Sequence, residues 1–537
     1  MASVRGGHSF FYRVRRVKRR VWLVCLIAAI AALVLSIAVK RPPAPAGRRS
    51  PLIVIGIDGG EWKVIHRLWS EGKLPNLRAL AGRGVSTTLR TAYNSSPVIW
   101  TTIATGVVPA VHGITDFVVA TPQGDVPISS DLRKVPALWN MLSRTGRRVA
   151  VLGWWGSWPA EEVNGVVYTD RALLDLPRRV SPAARLPRFL EELRQADADP
   201  GLFGEGEPER RDRVMARGAA RFAAERYDLI LLYFRTTDLV SHNDWKYFEP
   251  ASFPGMDPGE LAANRDQVPR IYEAVDQEIG LILAAAPREA NVIVLSDHGF
   301  HAAPEEEIKA QVDMDAILER LGYLVHRGNA RGDAVDLSRT LVYTYASPEF
   351  DRTKVLRFGR VRPEEREALR QRLEADLATV TNDRGEPVFN VRDARPRRGE
   401  DGDLVAAVLL TNVTPVLRIQ GRPFPPALRS LSRISGTHTS STHGIFLAAG
   451  PDVDPHADLS GIHVHDMAPT ILYGLGLPVA EDFAGRPRTE LFSAGFRRDH
   501  PLRTIRSWGT LRRDGTGRSS PADRKLLDEL RSLGYIR

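Results

Sequence analysis

The chain alternates short, continuously apolar runs with longer stretches in which apolar residues recur every three or four positions. Residues 52–57 read Leu-Ile-Val-Ile-Gly-Ile and end in Asp58-Gly59-Gly60. A strand without polar alternation has both faces buried, which places it in the centre of a mostly parallel sheet. The same pattern returns at 149–152, 227–234, 290–295 and 444–449, with helical stretches such as 211–225 and 271–285 between. Strands alternating with helices predict a doubly wound α/β domain.

From about 305 to 435 the texture changes. A charged amphipathic helix at 363–377 sits among loops rich in Arg, Gly and Asp, which reads as a cap inserted between two core strands. In the polar tail from 495, Ser520-Pro521-Ala522-Asp523 predicts the start of a short helix ending at Leu533.

Near the N-terminus, the 19 residues 21–39 contain only Ser36 and Cys25 as polar members. As a helix this segment is roughly 28 Å long, close to the hydrocarbon thickness of a bilayer. Seven basic residues precede it and four follow. The positive-inside rule then keeps the N-terminus cytoplasmic and sends the remainder out, to a periplasmic or extracellular space. A signal peptide cleaved near Ala44-Pro45-Ala46 and a buried soluble helix are the alternatives. The expected plan is a basic cytoplasmic segment (1–20), a transmembrane signal anchor (21–39), a Pro-rich linker (40–50), a catalytic domain (51–494, cap 305–435) and a tail (495–537).

Charge changes the picture once. The 537 residues carry a net charge of +10, but residues 1–49 hold eleven Lys/Arg and no Asp or Glu, leaving 63 basic against 64 acidic residues in the rest. The globular part is neutral, so no nucleic-acid partner is expected. Cys25 is the only cysteine. A metal site must therefore be built from Asp, Glu, His and hydroxyl groups.

Such residues stand at the strand ends, where open α/β sheets place their sites. Asp58 ends the first strand. Asp238 and His242 follow the third in Thr-Thr-Asp-Leu-Val-Ser-His, and Asp297 and His298 follow the fourth. His438 and His443 lie just before the last. Singly, each has an ordinary explanation as a cap, a surface pair or a solvated loop residue. Together they form a donor set suited to Zn²⁺ or a similar divalent ion. Ser95-Ser96-Pro97 precedes an apolar helix reaching Thr105-Gly106. A hydroxyl there faces unpaired N–H groups and the positive end of the helix dipole, as a nucleophile beside a phosphate would, although serine also serves there as a plain cap.

The ordered set of Asp58, Ser96 with Trp-Thr-Thr-Ile-Ala-Thr-Gly, the Asp238–His242 stretch, Ser-Asp-His-Gly-Phe and Gly-Thr-His resembles the alkaline phosphatase superfamily. Within it, the chain is similar to type I phosphodiesterases/nucleotide pyrophosphatases and their bacterial phosphohydrolase relatives over about 52–490. The resemblance implies a central sheet of alkaline-phosphatase type, a phosphate-ester substrate and two divalent metal ions, zinc first with manganese as the alternative. It places Asp58, Ser96, Asp297 and His298 on one ion and Asp238, His242 and a late His on the other, with Ser96 forming a phosphoseryl intermediate. In those pyrophosphatases the nucleophile stretch is Thr-Phe-Pro-Asn, and here it is Ser-Ser-Pro-Val. Counting from Trp100 points to Ser96 and from Pro97 to Ser95. The Asn after the proline is absent. The Gly-x-His spacing points to His438, with His443 as its competitor. A sulfatase would need an Arg that this motif lacks. A transferase moving a phosphate headgroup onto a membrane lipid or glycan, a phosphomutase and a non-enzymatic anchored scaffold complete the alternatives.

Overall fold

The computed structural model describes residues 50–530, apart from 122–123, 205, 327–334, 346–352, 393–403, 411–413, 415, 514–516, 524–525 and 528–529. The apolar segment 21–39 and its expected anchor lie outside the described residues. Among those described, no helix is long and apolar enough to cross a membrane.

The continuously apolar runs lie in an eight-stranded sheet: β1 (Leu52–Ile57), β2 (Val85–Leu89), β3 (Val149–Leu152), β4 (Gly165–Tyr168), β5 (Val180–Ser181), β6 (Leu229–Phe234), β7 (Asn291–Leu295) and β10 (Gly444–Ala449). Their order is β2-β10-β7-β1-β6-β3-β4-β5. The five central strands β7, β1, β6, β3 and β4 are parallel. Antiparallel pairing appears only toward the edges, between β10 and both β7 and β2 and between β4 and β5. The third run begins as strand at Leu229 rather than 227. Just before it, Asp228 turns its carboxylate onto the Arg148 N–H (2.8 Å) and the Arg147 guanidinium (2.7 Å).

Every residue of β1 is buried, because its two faces meet different helical layers. Ile53, Ile55 and Ile57 face α1 (Trp62–Ser70), α3 (Glu207–Ala224), α4 (Thr236–Phe248) and α5 (Gln267–Ala285). Leu52 and Val54 face α2 (Ser96–Thr105) and α7 (Met467–Gly474). This period-two division explains why the strand reads as unbroken apolar sequence.

The insertion rises on an antiparallel ribbon of β8 (His301–Val312) and β9 (Leu428–Thr437), whose outer ends flank the expected 305–435 boundaries. Beyond it lies a separate sheet in the order Val342–Tyr345, Thr353–Phe358, Leu404–Leu410, Phe389–Arg392. The charged amphipathic stretch is α6 (Arg366–Ala378), which buries Leu369, Leu373 and Leu377 in a core of its own. Each such leucine contributes about 2 kcal/mol. In the tail, the hydroxyl and the N–H of Ser520 both donate to the Asp523 carboxylate, at 2.6 and 2.7 Å, and the end of the expected helix at Leu533 lies outside the described residues.

Candidate active site

Asp58 leaves the end of β1 and is buried. The turn behind it is tied to the next strand end: the Gly59 N–H donates to Asp297 Oδ1 at 3.3 Å, and the Gly60 N–H to Ser296 Oγ at 2.8 Å. Gly59 has a φ of +65°, and a Cβ on it would lie 2.4 Å from the Phe300 ring. Only glycine lets these two strand ends meet.

Ser96 is the first residue of α2, and its Oγ lies 3.3 Å from both Asp58 Oδ1 and His298 Nε2. Ser95 occupies the cap position, yet its buried hydroxyl makes no hydrogen bond among the described residues and caps nothing. Of the two candidates, the fold brings Ser96 to the carboxylates.

Asp238 and His242 sit one turn apart on α4, with His242 Nε2 3.5 Å from Asp238 Oδ1. The start of α4 is fixed from α3, where buried Asp212 accepts from the Arg235 N–H (2.9 Å) and the Thr236 N–H (2.8 Å). β9 lies tight against α4: a Cβ on Gly436 would be 2.2 Å from Ser241 O. This close approach carries His438, two residues on, over the same site.

The six side chains form two groups, Asp58–Asp297–His298 and Asp238–His242–His438, with the ligand atoms of each within 4.8 Å of one another. The groups adjoin. His298 Nε2 is 3.8 Å from Asp238 Oδ1, and the His298 and His438 rings stack with centroids 3.5 Å apart. His443 stays outside, its Nδ1 accepting from the Thr91 N–H at 3.4 Å.

These groups fit divalent cations. Asp297 Oδ2 is buried with no hydrogen-bond partner, and neither Asp58 nor Asp297 has a Lys or Arg ion pair among the described residues. Burial, then Asp58 and then Asp238, pushes the Asp297 carboxyl well above the usual carboxylate range. Carboxylates so enclosed require a compensating positive charge to ionise together. The imidazoles are set for the same purpose. His298 Nδ1 and His242 Nδ1 donate to backbone carbonyls (Gly299 O, 3.0 Å; Gly436 O, 2.9 Å), which turns each Nε2 lone pair to the cluster. Burial also lowers the proton affinity of His298, favouring the neutral ring.

Several supports were not legible in the sequence. The Tyr233 hydroxyl donates to Asp58 Oδ2 and accepts from Trp155 Nε1 at 2.6 Å. The Thr237 hydroxyl donates to Asp58 O at 2.5 Å. Glu61 accepts from the Phe300 N–H at 2.9 Å, fastening the segment after His298. Tyr233 lies within an apolar run and reads as core; only its place at the strand end hints at more. His112 buttresses α2, its Nδ1 accepting from the Ile114 N–H (3.1 Å) while Nε2 meets the Thr102 hydroxyl (3.1 Å).

No curated protein sequence matches the chain. Among solved structures it is similar to an inactive murine ectonucleotide pyrophosphatase/phosphodiesterase 5 in complex with AMP, at 14% identity and a TM-score of 0.44, covering 83% of this chain and 100% of that one. It is also similar to phosphonoacetate hydrolase from Sinorhizobium meliloti in complex with phosphonoformate, at 16% identity and a TM-score of 0.42, covering 80% and 97%. The family model described as type I phosphodiesterase/nucleotide pyrophosphatase matches residues 52–405, a span running from β1 through the β7 strand end and into the cap. The chain belongs to the type I phosphodiesterase/nucleotide pyrophosphatase family of the alkaline phosphatase superfamily and is a phosphoric ester hydrolase.

Proposed function

We propose that the chain hydrolyses phosphate esters with Ser96 as nucleophile and with two divalent metal ions, zinc or manganese, one held by Asp58, Ser96, Asp297 and His298 and the other by Asp238, His242 and His438. The observation that carries this reading is the position of Ser96 Oγ, at a helix start and 3.3 Å from a member of the first carboxylate–imidazole group. When bound, the ions supply positive charge that lowers the proton affinity of the serine and offsets charge on the phosphoryl oxygens.

Ser96 Oγ attacks phosphorus as its proton passes to Asp58 Oδ1, and the bond to the leaving oxygen breaks, that proton reaching the departing alkoxide by way of solvent. Water then attacks the phosphoseryl phosphorus, breaks its bond to Ser96 Oγ and restores the hydroxyl. Pro97 carries no N–H and those of Val98 and Ile99 donate to Ser95 O at 3.0 Å, which leaves the Ser96 N–H at the start of α2 to meet a phosphoryl oxygen. Residues 21–39 serve as a single-pass anchor, with the N-terminus cytoplasmic and the catalytic domain outside. The charge partition between residues 1–49 and the rest supports this topology.

The full chain should release 4-nitrophenolate from bis-4-nitrophenyl or 4-nitrophenyl phosphate in a chelator-sensitive way, and Ser96→Ala should remove at least 10³-fold of kcat/KM. Loss in Ser95→Ala with full activity in Ser96→Ala would move the nucleophile by one residue. Turnover of neither ester by chains holding two metals would point to transfer onto an acceptor other than water. Release of the chain from membranes by alkaline carbonate would refute the anchor.

A further inference from the structure

A ring of contacts leaves the reactive centre and returns to it. The residue after His298, Gly299, donates its N–H to Thr442 O at 3.2 Å. The next residue, His443, accepts from the Thr91 N–H. Arg90 is bound through its backbone to the 462–464 loop, donating to Ile462 O at 2.9 Å and accepting from the Val464 N–H at 3.0 Å. In that loop the His463 and His465 rings stack with centroids 4.6 Å apart, and His465 Nε2 lies 3.0 Å from the hydroxyl of Tyr93, two residues before Ser95. These contacts draw Arg90, His443 and His463 together and tie them to the segments that lead into Ser96 and out of His298. None of them belongs to either ligand group.

These three residues are rich in donors. His443 Nδ1 and His463 Nδ1 both accept backbone N–H groups, from Thr91 and His465, so each neutral ring carries its proton on Nε2. Arg90 is exposed, and its guanidinium has no partner among the described residues. The carboxylate in the loop, Asp466, is already engaged by the N–H groups of His463 (3.1 Å) and Arg486 (2.9 Å) and by Arg488 (3.4 Å). Burial and then the Arg90 charge lower the proton affinity of His443. Burial lowers that of His463 as well, against Asp466 and with His443 and Arg90 adding to the effect. The three side chains thus share one electrostatic neighbourhood.

We propose that Arg90, His443 and His463 form a subsite for a second oxyanion of the substrate, a phosphate or carboxylate carried beyond the phosphorus that Ser96 attacks. The proposal rests on the phosphate-ester reading above and narrows it to substrates with two anionic groups.

The test uses the full chain and three 4-nitrophenyl phosphodiesters that differ only in the second group: ethyl, 2-carboxyethyl and 2-phosphonoethyl. The parent should prefer at least one anionic ester over the ethyl ester about tenfold in kcat/KM, the scale of one charge-assisted hydrogen bond. Which ester gains separates carboxylate from phosphate. Arg90→Gln and His463→Gln should each bring the ratio toward one, and Arg90→Lys should keep most of it. No preference in the parent, or an unchanged ratio in both variants, overturns the subsite. Release of nitrophenolate from none of the three would instead sink the hydrolase reading. In that case a calorimetric titration with inorganic pyrophosphate decides: binding about tenfold weaker in Arg90→Gln keeps the subsite, and equal binding removes it.

Discussion

Tyr233 shows how a single side chain supports the centre without joining the ligand groups. Its hydroxyl takes a hydrogen bond from Trp155 and gives its own proton to Asp58, so the carboxylate has one oxygen fixed and the other turned to Ser96. Tyr233→Phe should keep the fold, lower kcat about tenfold with little change in KM, and weaken metal retention against a competing chelator, since one hydrogen bond to a charged group contributes about 1.5 kcal/mol. Unchanged metal retention would count against the positioning role. Glu278, on α5, gives a pH-dependent effect far from the centre. Burial, opposed by Arg217 and Arg213, lifts its carboxyl from 4.5 to about 7, and its Oε2 makes no hydrogen bond among the described residues. Between those values the folded chain keeps a proton that the unfolded chain has released. Stability therefore falls as pH rises from about 4.5 to 7 and levels off above. Glu278→Gln should abolish that slope and gain on the order of 2–3 kcal/mol at pH 8, with no gain at pH 4. Urea unfolding at the two pH values checks it.

At the scale of elements, the start of α4 matters most, because that helix carries Asp238 and His242. Asp212 accepts two of its first N–H groups and pairs with Arg211 at 2.8 Å. Asp212→Ala removes the acceptor of both N–H groups and the ion partner of Arg211, which keeps the carbonyls of Gly153 and Tyr233, and should cost about 3 kcal/mol in urea unfolding, with Asp212→Asn costing less. The sequence made the central strands and their acidic ends legible, since an unbroken apolar run followed by Asp or His has few other meanings. Asp212 was hidden for the opposite reason: within Glu-Pro-Glu-Arg-Arg-Asp-Arg it reads as one more charge on a solvated helix. Ser95 and Ser96 could not be separated from pattern alone, because the choice depends on where α2 begins. His438 and His443 were ambiguous for a related reason. A Ser/Thr-rich turn separates them, and only the docking of β9 on α4 brings one inward while Thr91 holds the other.

For the whole molecule, the two ligand groups lie where strand ends, α4 and the insertion's ribbon converge, so bound cations would brace segments far apart in sequence. Dialysis against a chelator should lower the melting temperature by several degrees, and added Zn²⁺ or Mn²⁺ should restore it in a concentration-dependent way, because a ligand bound only to the folded state stabilises it by mass action. A melting temperature indifferent to both treatments would argue against these residues as ligands.

The ribbon that carries the insertion has a separate consequence for how such a chain can change. β8 begins directly after Asp297-His298-Gly299-Phe300, and β9 ends directly before His438, so the two strands anchor at the chemistry and diverge from it. Among the described residues between 313 and 427, a hydrophobic core is built from side chains of that span. The ribbon is a natural splice point. A head exchanged between those positions, from any donor whose ribbon shares the register, would leave the chemical end in place and alter only what is presented above it. Lineages could thus diversify their substrates by replacing the head, at little risk to the reaction below.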